Sequence, residues 1–368
     1  MFAIWLSVLL HLYIGWRIAP DLPAPWEGWA FVAVLVASAI LIPLAFFGRR
    51  SRDRARADRF TWAGMLALGA FSTLLPLTLL RDAVLLLAWP FGIAALPVWS
   101  AIAVVLAALA IVAIGFVNAR RTARVREVAL PVAGLPPALH GFTIAQISDL
   151  HVGPTIKGPY LQRVVDAVNA LHADAVAVTG DLVDGRVSDL APHVAPLAAL
   201  RSTHGTFFVT GNHEYYSGAH EWIAELQRLG VHVLLNQHVV LRHGGARLVL
   251  AGVADTSAHH FDPLHKSDPQ RALRGAPPDA ALRVLLAHQP RSAEAAAAAG
   301  FDVQLSGHTH GGQYWPWSLL VRLQQPYTAG LHRLRQLWIY TSRGTGYWGP
   351  PLRFGAPSEI TRLTLVGA

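Results

Sequence analysis

Phe142-Thr143-Ile144-Ala145-Gln146-Ile147-Ser148-Asp149-Leu150-His151 is a short uncharged run that ends in two metal-competent side chains. Its length and apolar content predict a buried strand over Phe142–Ser148. The same pattern recurs four times. Ala175–Thr179 runs into Gly180-Asp181, Thr206–Thr210 into Gly211-Asn212-His213-Glu214, Arg283–Ala287 into His288, and Asp302–Ser306 into Gly307-His308-Thr309-His310-Gly311-Gly312-Gln313. A further strand is predicted over Arg247–Val253, and amphipathic stretches at 158–171, 218–229 and 291–299 predict helices. Such alternation predicts an α/β domain, in which ligands bind beyond the carboxyl ends of the strands. Five strand tips would then converge on one site. Because residues two apart on a strand point the same way, Asp149 with His151, and His308 with His310, would address a common centre. The glycines between them permit tight turns.

Taken singly, these fragments are ordinary. An Asp-x-His is commonly a surface loop, a Gly-Asp a turn, and a strand-end histidine such as His288 a hydrogen-bonded structural residue. Their occurrence together, in this order and each at a strand end, carries the functional reading.

The rest of the chain has another texture. Of 368 residues, 53% are apolar and 14% charged, and the mean hydropathy is +0.37, which excludes a disordered chain and exceeds what an average soluble enzyme carries. There is no cysteine, so disulfides, thiolate metal sites and cysteine nucleophiles are excluded. Any metal must be held by nitrogen and oxygen donors. The net charge of +8 divides unevenly: residues 1–126 hold twelve arginines against five acids, whereas residues 127–368 are nearly balanced and hold seventeen of the eighteen histidines. The chain therefore reads as a transmembrane helical domain, 1–126, followed by a histidine-using catalytic domain, 127–368.

Gly28–Gly48 and Phe60–Leu80 are each 21 residues without a charge, about the length that crosses roughly 30 Å of hydrocarbon as a helix. Met1–Trp16, flanked by Arg17, and Leu96–Val117 complete four expected spans, with 83–95 as an interfacial or re-entrant piece. Arg49, Arg50, Arg52, Arg54, Arg56 and Arg59 form one basic cluster, and Arg120, Arg121, Arg124 and Arg126 another. Basic flanks stay cytoplasmic, so four spans place both clusters, the N-terminus and the catalytic domain on the cytoplasmic side of the inner membrane. The arginines read as contacts to lipid headgroups. They give no strong nucleic-acid signal, because the catalytic domain carries almost no net charge.

The blocks Asp149-x-His151, Gly180-Asp181, Gly211-Asn212-His213-Glu214, His288 and Gly307-His308-x-His310 resemble the calcineurin-like metallophosphoesterase superfamily. The string through Gly311-Gly312-Gln313, together with Ser342-Arg343-Gly344-Thr345-Gly346 and Leu352-Arg353-Phe354, resembles its membrane-attached bacterial branch, some of which is linked to cleaving a lipid-linked UDP-sugar pyrophosphate. The resemblance implies a four-layer α/β sandwich with two divalent metals. It implies one metal held by Asp149, His151, Asp181 and His310, a second held by Asp181, Asn212, His288 and His308, and His213 as proton donor. The donor set suits Mn, Fe or Zn. Two divalent cations outweigh two carboxylates and leave positive charge for an anionic phosphoester.

Two further residues stand open at this stage. Asp184 either orients His213 or a ligand histidine, or caps a helix; Arg343 either clamps a phosphate oxygen or forms a surface salt bridge. Tyr215, Tyr216, Trp222, Trp315, Trp317, Tyr347 and Trp348 form either an amphipathic lip or ordinary core. The leading expectation is a membrane-anchored metal-dependent phosphoesterase acting on a phosphodiester or pyrophosphate, such as a UDP-diacylglucosamine. The alternatives are a nuclease or cyclic-nucleotide phosphodiesterase, and a non-catalytic membrane receptor or scaffold on the same fold.

Overall fold

The structure is a computed structural model that describes residues 2–48 and 53–368; Arg49, Arg50 and Arg52 of the first basic cluster lie outside the described residues. The chain forms two compact units, Met1–Arg120 with Gly349–Phe354, and Arg121–Trp348 with Gly355–Ala368.

In the first unit the helices are α1 (Phe2–Ile18), α2 (Pro25–Gly48), α3 (Arg54–Ala88) and α4 (Leu96–Arg120). All four are long and apolar enough to cross a membrane. Residues 83–88, expected as part of a separate interfacial piece, instead continue α3, which runs unbroken through Arg81 and Asp82. The cause is pairing. Buried Arg81 donates to the carbonyls of Arg17 and Pro97 and to the carboxylate of Asp21, while Asp82 accepts from Tyr13 at 2.6 Å and from Arg17 at 2.9 Å. Charges that read as the end of a span are satisfied inside the bundle, and Arg17 is held by Asp82 rather than reaching outward alone. Helices α2 and α3 pack closely where Gly64 presents no side chain to Ala45 and the Leu41 carbonyl.

The second unit contains, in chain order, β1 (Arg124–Val132), β2 (Thr143–Ile147), α5 (Gly158–Asn169), β3 (Ala175–Val178), α6 (Val187–Val194), β4 (Thr206–Phe208), α7 (Asn212–Ser217), α8 (Ala219–Arg228), β5 (His232–Val233), β6 (Gln237–His243) and β7 (Ala246–Gly252). It continues with α9 (Pro269–Ala272), β8 (Leu282–Leu286), α10 (Ala293–Ala299), β9 (Val303–Ser306), α11 (Ser318–Val321), β10 (Gly330–Leu334), β11 (Leu337–Thr341) and β12 (Glu359–Gly367). The six predicted strands and three predicted helices are all present, within a few residues of their expected ends.

Two six-stranded sheets result, ordered β1-β12-β2-β3-β4-β5 and β10-β11-β9-β8-β7-β6. The central pairs β2–β3, β3–β4, β7–β8 and β8–β9 are parallel. Parallel strands covered on both faces need apolar residues at consecutive positions, which is what 175–178 and 284–286 supply. Between the sheets, Ile144, Ala177, Phe207, Leu250, Val284, Leu305 and Leu363 form one core. On the outer face of the second sheet, Ala251, Leu285 and Ile339 pack with Ala293 and Ala296 of α10. Helix α5 buries Leu161, Val164, Val165 and Val168 along one stripe, the spacing of an amphipathic helix on a sheet. The architecture is thus the expected helix–sheet–sheet–helix sandwich, with β2, β3, β4, β8 and β9 all ending at one place.

Candidate metal centre

Asp149 follows β2, Asp181 follows β3, Asn212 and His213 follow β4, His288 follows β8, and His308 and His310 follow β9. Backbone bonds lock these tips together: the Asp149 N–H donates to the Gly180 carbonyl at 3.0 Å, His151 to Asp181 at 3.1 Å, and Gly307 to His288 at 2.9 Å. A side chain at Gly307 would collide with Ser148 and the Asp149 carboxylate, so the two sheets can meet here only through glycine.

The expectation that strand alternation aims the paired ligands fails in its reason. β2 ends at Ile147 and β9 at Ser306, before the donors begin. Asp149, His151, Asp181, His308 and His310 all adopt left-handed backbone, with φ between +51° and +70°. Each such non-glycine residue costs on the order of 1–3 kcal/mol, a strain retained where the surrounding fold over-determines it and concentrated at functional sites.

The donors form two adjoining clusters. In the first, His151 Nε2 lies 3.0 Å from His310 Nε2, and Asp149 Oδ1 lies 3.6 Å from His310 Nε2. In the second, His288 Nε2 lies 3.0 Å from Asp181 Oδ2 and 3.1 Å from His308 Nδ1. Asp181 Oδ2 is also 4.0 Å from His151 Nε2, so this carboxylate oxygen stands between the clusters. Buried Asn212 Oδ1 has no hydrogen-bond partner. Donors bound to one ion at about 2.0–2.1 Å and tetrahedral angles stand about 3.3 Å apart, close to the separations seen here. Facing imidazole nitrogens around buried carboxylates, together with an orphaned buried carbonyl at the neighbouring strand tip, form a donor set that a pair of cations would complete, so the residues fit the implied metals.

Neighbouring groups orient the histidines. His288 Nδ1 donates to the Thr179 carbonyl at 2.7 Å and His151 Nδ1 to Asp184 Oδ1 at 3.1 Å, which turns the Nε2 of each toward the centre. Asp184 Oδ1 also accepts from His213 Nδ1 at 2.6 Å. Asp184 Oδ1 thus touches both His151 and His213.

Electrostatics follow from burial opposed by close charges. Burial favours the protonated form of Asp181, yet His288, His213 and His151 hold it well below the usual carboxylate range. Burial, reinforced by the charge of Asp181, pushes Asp149 up. Burial would lower His213, but the Asp184 bond and the charges of Asp181, Asp184 and Glu214 push it up to about 9. His288 is raised by Asp181 and Asp149 in spite of burial, while burial and the neighbouring His288 charge push His308 down to about 3.

Two residues had roles that the sequence did not signal. Buried Glu214 accepts from the backbone N–H groups of Gly211 at 2.7 Å, Asp181 at 3.0 Å and Leu182 at 2.8 Å. It thereby fastens the tip of β3 to that of β4. The Gln313 amide both donates to the Trp348 carbonyl at 2.8 Å and accepts from the Trp348 N–H at 2.9 Å. Each role depends on residues distant in the chain; only the presence of Glu214 and Gln313 inside the quoted blocks hinted at them. Truncating Glu214 to alanine orphans three buried donors at about 1–3 kcal/mol each. Glu214→Ala is expected to lower stability by about 3 kcal/mol or more, read as a fall of roughly 6–12 °C in the thermal transition of the detergent-purified chain.

Arg343 pairs with the buried Glu359 carboxylate at 2.9 Å. Of the expected aromatic lip, Tyr215, Trp222 and Tyr347 are core residues, the Trp222 indole N–H donating to the Gly185 carbonyl at 2.8 Å. Tyr216 and Trp348 are exposed, with ring centroids 5.3 and 6.0 Å from that of His213. Trp315 is exposed and Trp317 half-buried.

Residues 142–312 match the family profile described as calcineurin-like phosphoesterase. An uncharacterized metallophosphoesterase of Aquifex aeolicus is 30% identical over 246 residues, which cover 66% of this chain and 92% of that one. The chain belongs to the calcineurin-like metallophosphoesterases. A Bos taurus relative, "Transmembrane protein with metallophosphoesterase domain", is 41% identical over 267 residues, covering 69% of this chain and 60% of its own length. An uncharacterized metallophosphoesterase of Helicobacter pylori is 41% identical over 228 residues, covering 61% of this chain and 59% of that one. The alignments thus span about three fifths of these two relatives. In this metallophosphoesterase the family blocks coincide with the strained tips that carry the two donor clusters.

Proposed function

We propose that this chain is a membrane-anchored, dinuclear metal-dependent phosphoesterase that hydrolyses a phosphodiester or pyrophosphate bond in a lipid-linked substrate such as a UDP-diacylglucosamine. One metal is held by Asp149, His151, Asp181 and His310, and the other by Asp181, Asn212, His288 and His308. The supporting observation is the buried double cluster that shares Asp181 Oδ2 and leaves Asn212 Oδ1 without a partner. When bound, two divalent cations supply positive charge for the phosphate and lower the pKa of water toward neutrality. Neutral His and Asn donors preserve that positive charge. Asp184 fixes the ring of His213, and His213, protonated at neutral pH, donates through Nε2 to the leaving oxygen. Tyr216 and Trp348 flank this proton donor.

Four apolar helices support membrane association, and exposed Trp315, Leu319, Leu320 and Leu323, just after the His308-x-His310 loop, support a substrate with an apolar portion. Described Arg54, Arg56 and Arg59, with Arg120 and Arg121, support a cytoplasmic catalytic domain at the inner membrane. The test uses the full chain in detergent, stripped by chelator and reloaded with Mn, Fe or Zn. Cleavage of an aryl phosphodiester and faster cleavage of UDP-diacylglucosamine are expected; cleavage of the aryl ester alone would overturn the lipid-linked substrate, and no cleavage with any metal would overturn the hydrolase. A cytoplasm-active reporter fused after Ala368 should be active; activity only of a periplasm-active reporter would reverse the sidedness.

A further inference from the structure

The fold brings together a third group of metal-competent side chains that neither proposed metal uses. His220 sits in the first turn of α8; Asp262 caps the turn Pro263–His265, and His265 closes it. Asp262 Oδ2 lies 3.2 Å from His220 Nε2 and 3.8 Å from His265 Nε2, and the three donor atoms all fall within 4.8 Å of one another. These separations bracket the spacing of about 3.3 Å between two tetrahedral ligands.

Three features distinguish this group from an incidental ion pair. The Asp262 carboxylate is divided in use: Oδ1 accepts the Leu264 N–H at 2.9 Å, which leaves Oδ2 aimed at both histidines. His265 presents Nε2 to the cluster because its Nδ1 meets the buried Tyr215 hydroxyl at 2.9 Å, the outer hydrogen bond that metal-binding histidines generally make. Asp262 and His265 are mostly buried and held by outer hydrogen bonds while His220 is exposed, so two fixed ligands and a third on the helix surface open onto solvent on one side. From this geometry we infer that His220, Asp262 and His265 form a third metal site, selective for a borderline cation such as Zn²⁺ and completed by solvent.

Two imidazoles and one carboxylate suit zinc, whereas Ca²⁺ and Mg²⁺ require more oxygen. The site has a mechanical consequence. Tyr215 belongs to α7, whose first residues are Asn212 and His213, and Phe261 packs on both Tyr215 and Tyr216, at 5.8 and 5.6 Å between centroids. A cation held here ties the segment carrying Phe261, Asp262 and His265 to α7 and α8, and thereby steadies the aromatic border beside His213.

Zinc content after equilibrium dialysis of the chelator-stripped full chain tests this, with Co²⁺ absorption as a second readout. Wild type is expected to hold one more equivalent than His220→Gln and Asp262→Asn. Tyr215→Phe should retain the site with zinc affinity lowered about 10-fold or more, a loss that a merely structural tyrosine would not produce. His220 is exposed on a helix surface, so His220→Gln keeps its far-ultraviolet dichroism and folding is not confounded. Equal zinc content in wild type, His220→Gln and Asp262→Asn would overturn the inference. The comparison is a difference, so it reads the third site whether the central clusters hold two ions, one or none.

Discussion

Asp181→Ala is expected to reduce hydrolysis of an aryl phosphodiester by more than about 10³-fold and to lower bound metal at the central clusters by at least one equivalent. The reason is position. Asp181 Oδ2 is 3.0 Å from His288 Nε2 and 4.0 Å from His151 Nε2, so one atom serves both clusters, while Oδ1 accepts the His213 N–H at 2.9 Å. Removing the carboxylate deprives both proposed ions of a negative ligand and frees the backbone of the proton donor. Metal stabilisation of phosphoryl-transfer charge is worth several kcal/mol, and each 1.36 kcal/mol is tenfold in rate, so a loss of about three decades or more follows. Asp149→Ala removes a ligand of the first ion only, but its carboxylate also accepts the His308 N–H at 2.9 Å, so the variant should lose one equivalent and hold the second more weakly. Metal analysis of the two variants beside wild type separates the shared ligand from the private one. Equal metal content in wild type and Asp181→Ala, with activity retained, would refute the shared role.

The amount of this site visible in the sequence follows from what local chemistry can encode. Each strand that delivers a donor is a short run rich in apolar residues and buried at almost every position, because parallel strands in the middle of a sheet are covered on both faces. Edge strands lack that signature. β1 begins with the exposed residues Arg124, Val125, Arg126 and Glu127, and β6 mixes exposed and half-buried positions, so neither reads as a strand without its partner. In the sequence Arg81 and Asp82 look like the end of a span, although α3 continues through them; their partners Arg17 and Asp21 lie some sixty residues earlier. The donor residues were legible as types and spacing, but not the reason they converge. Alternation along a strand suggested shared direction, whereas left-handed backbone at five of the donors does the aiming. Glu214 likewise looks like one member of a four-residue block; its bonds to the tips of β3 and β4 become apparent only when those strands lie side by side.

His213→Ala should lower kcat by about 10²–10⁴ with a poor leaving group and much less with p-nitrophenolate, which departs without a proton. That contrast distinguishes a proton donor from a residue that merely supports the loop, because structural damage would slow both substrates alike. The pH dependence carries the same test further. His213 is pushed up to about 9 through its bond to Asp184 and the surrounding carboxylates, so it stays protonated through neutrality and loses its proton as the pH rises through about 9. Activity on the poor leaving group should therefore fall along an alkaline limb. Asp184→Asn removes the charge at the 2.6 Å contact and should move the limb toward the unperturbed histidine value of about 6.5. The same shift acts on stability: a histidine whose folded pKa is raised contributes stability that is complete below about 6.5 and is lost as the pH rises through about 9. Thermal transitions of the chelator-treated chain should accordingly decline across that window in wild type and decline less in Asp184→Asn. An alkaline limb that does not move when Asp184 is neutralised would assign the proton to another group.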